Sequence, residues 1–404
     1  MFNWERNPAV APPCCDLPRE PLRERAWVEV DLTALAHNVR QIRGLLSPQT
    51  DLMAVVKADA YGHGAVTVAQ TILQHGVTWL GVATIPEGIA LREAGIRAPI
   101  LILGATHTPE QIQAIAGWEL QPTLCTPKQA LVFSETLGAL GQTLGVHVKL
   151  DTGMSRLGTP WQAATEFVQL VHRLPGLEIT SIYSHLATAD NPDPTMMRQQ
   201  QARFQRAIAQ LRATGITPPR LHLANSAATL TDPALHYDLV RVGLGIYGLC
   251  PAPHLQSVVD LQPALQVKAR VTQVKTIQPG TGVSYGHQFF AEETARIAVV
   301  GIGYADGVPR NLSGRMTALI RGERVPQIGA VTMDQLMLDI SQIPEVQEGE
   351  VVTLLGRDGG YQITADDWAA LLGTISWEIL CGFKHRLPRV AMNLPQESPQ
   401  QVIA

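Results

Sequence analysis

Between about residue 50 and residue 245 the chain alternates short apolar runs with longer amphipathic stretches, a rhythm that predicts strand–helix units around a parallel sheet. Eight runs stand out: Leu52 to Lys57, Leu80 to Ala83, Ile100 to Leu103, Leu120 to Leu124, Val146 to Leu150, Ile179 to Tyr183, Leu221 to Leu223, and Leu239 to Val242. Helical patterns such as Pro86 to Ala94, Trp161 to His172 and Met196 to Arg212 lie between them. Gly95, Pro175-Gly176 and the Gly215 to Pro219 stretch supply the breaks. Eight units over roughly two hundred residues favour a closed (β/α)8 barrel of the TIM type over an open doubly wound sheet.

Past about residue 262 the texture changes. Gln266 to Lys275, Ala295 to Gly301, Met316 to Ile320, Gln335 to Ile340 and Val351 to Leu355 are alternating or β-branched and predict a mostly antiparallel β-domain. Trp27 to Leu32 is strand-like too, precedes a helix over Thr33 to Leu46, and is expected to join that later sheet. The expected division is therefore an arm over 1–26, a strand over 27–32, a barrel over 33–262 and a β-rich domain over 263–404. A length of 404 residues agrees with two cores rather than one.

Composition narrows the partners. Thirty-one basic against 35 acidic residues give a net charge of −4, and no basic block suggests nucleic acid or a membrane surface. The first 25 residues carry charges and prolines without a signal-peptide core, and no segment has the length and purity of a membrane span. A cytoplasmic protein with a small-molecule substrate is expected. Five cysteines, Cys14 and Cys15 among them, are scattered without the spacing of a zinc site or a disulfide framework, and read as reduced thiols.

Candidate chemistry collects where barrel enzymes keep it, just past the carboxyl ends of the strands. Met53 to Val56 reads as a strand covered on both faces, and Lys57 closes it and opens a glycine-bearing loop with Tyr61. Lys149 and the Asp151 to Arg156 segment follow the fifth run and His185 the sixth. Asn225 and Ser226 follow the seventh, while Arg241, Gly243 and Leu244 end the eighth. Loops after strands seven and eight are a common phosphate site, although turn chemistry alone would also place an amide, a hydroxyl and glycines there. A lysine, a phosphate site and an arginine on the last strand suggest pyridoxal 5'-phosphate held as a Schiff base on Lys57. Arg241 stays protonated, so it favours a weaker electron sink than an acidic partner would, as simple α-proton removal requires.

Seven segments together carry a family resemblance. Lys57-Ala-Asp-Ala-Tyr61-Gly-His-Gly64, Lys149-Leu-Asp-Thr-Gly-Met-Ser-Arg156, Ser184-His185-Leu-Ala-Thr-Ala-Asp190, Asn225-Ser226-Ala-Ala, Val283-Ser-Tyr285-Gly, Gly303-Tyr304-Ala-Asp-Gly307 and Met333-Asp334-Gln335 resemble, in order, the motifs of alanine racemase. The likeness runs from about residue 27 to Arg386-Leu-Pro-Arg389. It implies a homodimer that interconverts L- and D-alanine for peptidoglycan, each active site completed by the other subunit's β-domain. Lys57 would serve the D-alanine face, and Tyr285 of the other chain the L-alanine face. Inversion needs two such bases, because a planar carbanion must lose and regain its proton on different sides. By the same resemblance His185 lies near the cofactor ring and His222 supports Arg241. Arg156 and the backbone of Met333 meet the substrate carboxylate, Tyr304 lines the entrance, and Asp334 belongs to the Met333 motif. Lys149 matches a lysine that is carbamylated in many members; an ordinary ion-paired lysine is the alternative.

Departures from the pattern are few. Trp377 stands where many members have a tyrosine that bonds the phosphate, Thr332 where a cysteine is frequent, and Ala330 where an arginine often lines the entrance. Indole can donate one hydrogen bond but has another shape, which leaves a broader-specificity amino-acid racemase open. A noncatalytic pyridoxal-phosphate-binding protein would be a barrel alone, and a decarboxylase would set an acid where Arg241 stands.

Overall fold

The computed structural model describes residue 23 and residues 25–393. Cys14, Cys15, most of the arm expected over 1–26 and the last eleven positions of the β-rich segment lie outside the described residues. Eight parallel strands follow one another around the first sheet: Asp51–Val55, Trp79–Val82, Ile100–Ala105, Gln121–Leu124, Leu144–Asp151, Leu177–Tyr183, Leu221–His222 and Leu239–Val242. The last pairs with the first, Leu239 opposite Asp51 and Val242 opposite Ala54. Between the seventh and eighth, Asp238 N–H donates to the Leu221 carbonyl (3.1 Å) and Arg241 N–H to that of Ala224 (3.0 Å), so the barrel is nearly closed. All eight predicted runs are strands, their ends shifted by at most two residues, because strands buried on both faces write themselves as apolar runs.

Helices wrap the outside and start on repeated signals. Thr108 and Thr126 each accept the N–H of the residue three ahead, with proline in the first turn. Glu87 completes a capping box by accepting the Thr84 N–H at 3.0 Å. Such caps place each helix start directly after a strand's carboxyl end, where the loops form the barrel mouth.

The second sheet has nine strands in the order Tyr361–Ile363, Val351–Asp358, Thr317–Ile320, Glu323–Ile328, Leu336–Asp339, Ala295–Val300, Leu265–Ile277, Ala26–Asp31 and Arg389–Met392. Pairing is antiparallel except between the last two strands. The strand expected over 27–32 does join this sheet, although it stops at Asp31, whose carboxylate caps the following helix by accepting the Ala34 N–H at 2.9 Å. A small hairpin, Gly282–Val283 against Phe289–Phe290, projects from the sheet and carries Tyr285 at its tip. Ile277, Val283, Ile297, Ile328 and Met337 form a separate apolar cluster beneath it.

Candidate active site

Lys57 stands at the barrel mouth, half-buried, two residues past the first strand. The loop expected after it is instead a helical turn of the wrong hand: Ala58, Asp59, Ala60 and Tyr61 have φ of 52°, 53°, 53° and 53°. L-residues resist this conformation by roughly 1–2 kcal/mol each, so tertiary contacts must hold it. Glu87 accepts the Ala58 N–H at 2.7 Å, and Asp59 accepts the Ala65 N–H at 2.8 Å. Arg389 donates to the Gly62 carbonyl at 3.0 Å. Gly62 itself is left-handed, and a Cβ there would lie 2.5 Å from the Leu380 carbonyl oxygen. Glu87 therefore locks the lysine's own loop, a task the sequence reading missed although the Thr84-x-x-Glu87 spacing of a capping box was visible.

The left-handed turn swings Tyr61 inward, where it is buried and packs against Tyr247 at 4.9 Å. Burial raises its phenol pKa, so it remains a neutral hydrogen-bonding group. A Cβ on Gly243 would lie 2.5 Å from the Tyr61 hydroxyl, which explains the glycine. Ser226 Oγ accepts the Gly243 N–H at 3.0 Å and keeps its own proton to donate. Asn225 caps the helix Ser226–Thr231 through its side-chain oxygen, which accepts the Ala228 N–H. The first N–H groups of the short turn Leu244–Tyr247 lack acceptors within the turn.

Arg241 is almost wholly buried and has no carboxylate partner among the described residues. Its Nη1 donates to His222 Nδ1 at 3.1 Å, and its Nη2 to the carbonyls of Ser184 (2.8 Å) and Leu223 (3.1 Å) and to His185 Nδ1 (3.1 Å). A guanidinium cannot accept, so both histidines present Nδ1 lone pairs and carry their protons on Nε2. Burial and then the neighbouring Arg241 charge hold both well below the ordinary histidine range, hence neutral. Arg241 is itself lowered to about 10 by burial and stays charged at neutral pH.

Lys149 is buried without an ion-pair partner among the described residues, and its Nζ lies 5.4 Å from the Tyr183 ring centroid. Burial first, then the Arg241 charge, lower it to about 8. The geometry thus disfavours the ion-paired alternative. Arg156 is exposed on the loop after the same strand.

These groups converge on one cavity of about 790 Å³ lined by Lys57, Tyr61, Lys149, Arg156, His185, Asn225, Ser226, Arg241, Gly243, Leu244 and Trp377. Four cations against a single lining acid, Asp190, together with hydroxyl, indole and backbone donors, suit a ligand carrying phosphate and carboxylate groups. Pyridoxal phosphate fits that donor set. Tyr285, Tyr304, Met333 and Asp334 do not line this cavity. Tyr285 is 73% exposed at the hairpin tip, with Met333 and Tyr304 also exposed, while Asp334 is paired to Arg386 at 2.7 Å. Backbone bonds join the Tyr304 and Met333 loops: Tyr304 N–H to the Thr332 carbonyl (2.9 Å), and Ala305 N–H to that of Met333 (3.0 Å). His147 and Ser181, overlooked in the sequence, lie beneath Arg241 in the barrel interior, at positions that point inward by strand alternation.

Comparison with known proteins agrees with this geometry. The alanine racemase N-terminal domain family matches residues 30–251 and the C-terminal domain family residues 264–391. Alanine racemase from Nostoc sp. is 70% identical over 371 residues, covering 91% of this chain and 96% of that protein. The one from Synechocystis sp. is 65% identical over 369 residues, covering 91% and 99%. The crystal structure of alanine racemase from Bacillus anthracis with bound L-Ala-P superposes with a TM-score of 0.87 at 36% identity, over 92% of this chain and 96% of that one. Matches to both halves speak against a storage barrel standing alone. With a lysine-bearing barrel and a β-domain both matched across nearly their whole length, the chain belongs to the alanine racemase family of isomerases.

Proposed function

We propose that the protein interconverts L- and D-alanine by two-base proton transfer with pyridoxal phosphate held in the barrel mouth. The observation that carries this reading is the charged, carboxylate-free Arg241 set in the same cavity as Lys57. The family supports the cofactor, which when bound supplies a conjugated electron sink for the α-carbon. Tyr61, Ser226, Gly243, Leu244, Asn225 and Trp377 would hold its phosphate, and Lys57 its aldehyde carbon. His185 and Arg241 would flank the ring, where Arg241 donates hydrogen bonds without surrendering a proton. Arg156 would hold the substrate carboxylate.

Lys57 would take or return the α-proton on the D face. Tyr285, Met333 and Tyr304 are exposed on the β-domain and do not line this cavity. That supports a homodimer in which these residues enter the partner's barrel mouth, Tyr285 working the L face and Asp334 steadying Met333. The proposed division is a barrel over 33–262 and a β-domain over 263–404, with the strand over 27–32 in the later sheet; the two described sheets, one with its last strand at Leu239–Val242 and the other resuming at Leu265, support it. No helix among the described residues is long and apolar enough to cross a membrane, in keeping with a cytoplasmic role in D-alanine supply for peptidoglycan. Purified protein given L-alanine in deuterated water should form D-alanine carrying α-deuterium; cofactor-loaded protein that forms none rejects the reading.

A further inference from the structure

An arginine in a barrel interior ordinarily needs an anion, because its charge has left water. Arg241 instead heads a row of neutral groups. His222 Nδ1 accepts from its Nη1 (3.1 Å), and His222 Nε2 meets Ser181 Oγ (2.7 Å). Ser181 Oγ meets His147 Nδ1 (2.6 Å), and His147 Nε2 meets Gln121 Oε1 (2.6 Å). His222, Ser181 and His147 are fully buried.

Hydrogen-bond accounting allows this row one direction only. Since Arg241 can only donate, His222 must carry its proton on Nε2 and donate to Ser181. Ser181 then has its single hydrogen for His147 Nδ1, and His147 donates from Nε2 to Gln121. The ring planes are fixed as well: His222 is stacked on Tyr183 at 4.6 Å and 9°, and His147 meets the edge of Trp79 at 5.6 Å and 89°. Each acceptor end therefore points toward the guanidinium.

We infer that Ser181 and His147 are positioning residues for the reaction, holding Arg241 through His222 in one orientation and setting aligned dipoles against its charge where a counterion would otherwise stand. A carboxylate in that place would cancel the charge presented to the cavity. Dipoles stabilise it and leave the net charge intact. The inference rests on the reading of Arg241 as a working group in racemisation.

Full-length, cofactor-loaded protein labelled with 15N-histidine tests it. His222 and His147, assigned by single replacement, should each show one tautomer, protonated on Nε2 with Nδ1 as acceptor. In Ser181→Ala, the His147 Nδ1 resonance should move to that of an acceptor without a donor, and kcat should fall about tenfold in both directions with KM changed less than about twofold. His147→Asn, which keeps an acceptor near the hydroxyl, should recover most of the rate that His147→Leu loses. Protonated Nδ1 on either wild-type histidine overturns the relay. So does a folded Ser181→Ala that races at the wild-type rate, or equal damage from His147→Asn and His147→Leu. Tautomers are read without turnover, so a wild-type protein with the stated tautomers that fails on alanine overturns the racemase reading instead.

Discussion

The barrel mouth and the Tyr285 hairpin present candidate groups in opposite ways. At the mouth, Arg241 and Lys149 are buried, and Arg241 is bonded to groups that are themselves fixed. At the hairpin, Tyr285 is 73% exposed on a two-by-two-residue ladder, steadied by Ser284 Oγ donating to the Ala330 carbonyl at 2.7 Å. One half-site has its electrostatics set by its own core; the other is exposed. In the proposed homodimer each chain would supply half of two sites rather than the whole of one.

Lys57→Ala strikes the prebuilt half and should reduce racemisation by at least about ten-thousandfold, with loss of the cofactor's lysine-linked absorbance. Tyr285→Phe strikes the displayed half. It should slow proton removal from L-alanine by about a hundred- to ten-thousandfold while cofactor loading is retained. Mixing the two inactive variants sharpens the contrast. Random dimers should regain about a quarter of wild-type activity, because each heterodimer rebuilds one intact site. If the mixture stays inactive after subunit exchange, the shared-site reading fails.

Buried titratable groups should also make the barrel half the acid-sensitive one. Burial lowers His63 to about 4 and His147 to about 3, below their unfolded value. The unfolded chain then binds protons that the folded chain refuses. Stability falls as pH drops from the unfolded value toward those figures, by about 1.4 kcal/mol per pH unit for each histidine. Urea midpoints measured from pH 7 to pH 4.5 check this, and His147→Asn should flatten the slope.

Lys149, lowered to about 8, has the converse alkaline signature. Its cost is fully present below about pH 8 and is relieved as pH rises toward the unfolded lysine value, so in carbon-dioxide-free buffer, which leaves the amine unmodified, Lys149→Met should stabilise the protein at pH 7 by up to about 3 kcal/mol and lose that advantage near pH 10.5. Its amine is also neutral often enough to add dissolved CO2. A 13C-carbamate signal from labelled bicarbonate, absent in Lys149→Met, is expected. The smallest effect belongs to Trp377→Tyr, which should alter the preference between alanine and a larger amino acid by about tenfold or less. A panel of amino acids measures it.

Much of this was legible in the sequence because burial wrote it there. Strands covered on both faces appear as apolar runs, and the polar residues at their carboxyl ends fall together once the barrel closes. Other parts left weaker marks. Glu323–Ile328 alternates exposed and buried residues around Pro326, and its pattern is too polar to stand out; Arg389–Met392 is a strand only through its neighbour Ala26–Asp31. His147 and Ser181 look like ordinary polar interruptions until the barrel brings their side chains within 2.6 Å. In sequence the turn after Lys57 reads as a loop because alanine and tyrosine give no local signal for positive φ. Contacts from Glu87, Leu380 and Arg389 impose it.

That turn also restricts how this stretch of chain can drift. At exposed position 58 glycine and asparagine should be tolerated, and at buried position 60 glycine alone, since these adopt positive φ readily, whereas valine, isoleucine and threonine should be purged at both because a branched Cβ clashes with its own backbone there. A saturation library would therefore show a substitution profile set by chirality at Ala58, an exposed alanine that hydrophobicity and burial alone would pass as neutral.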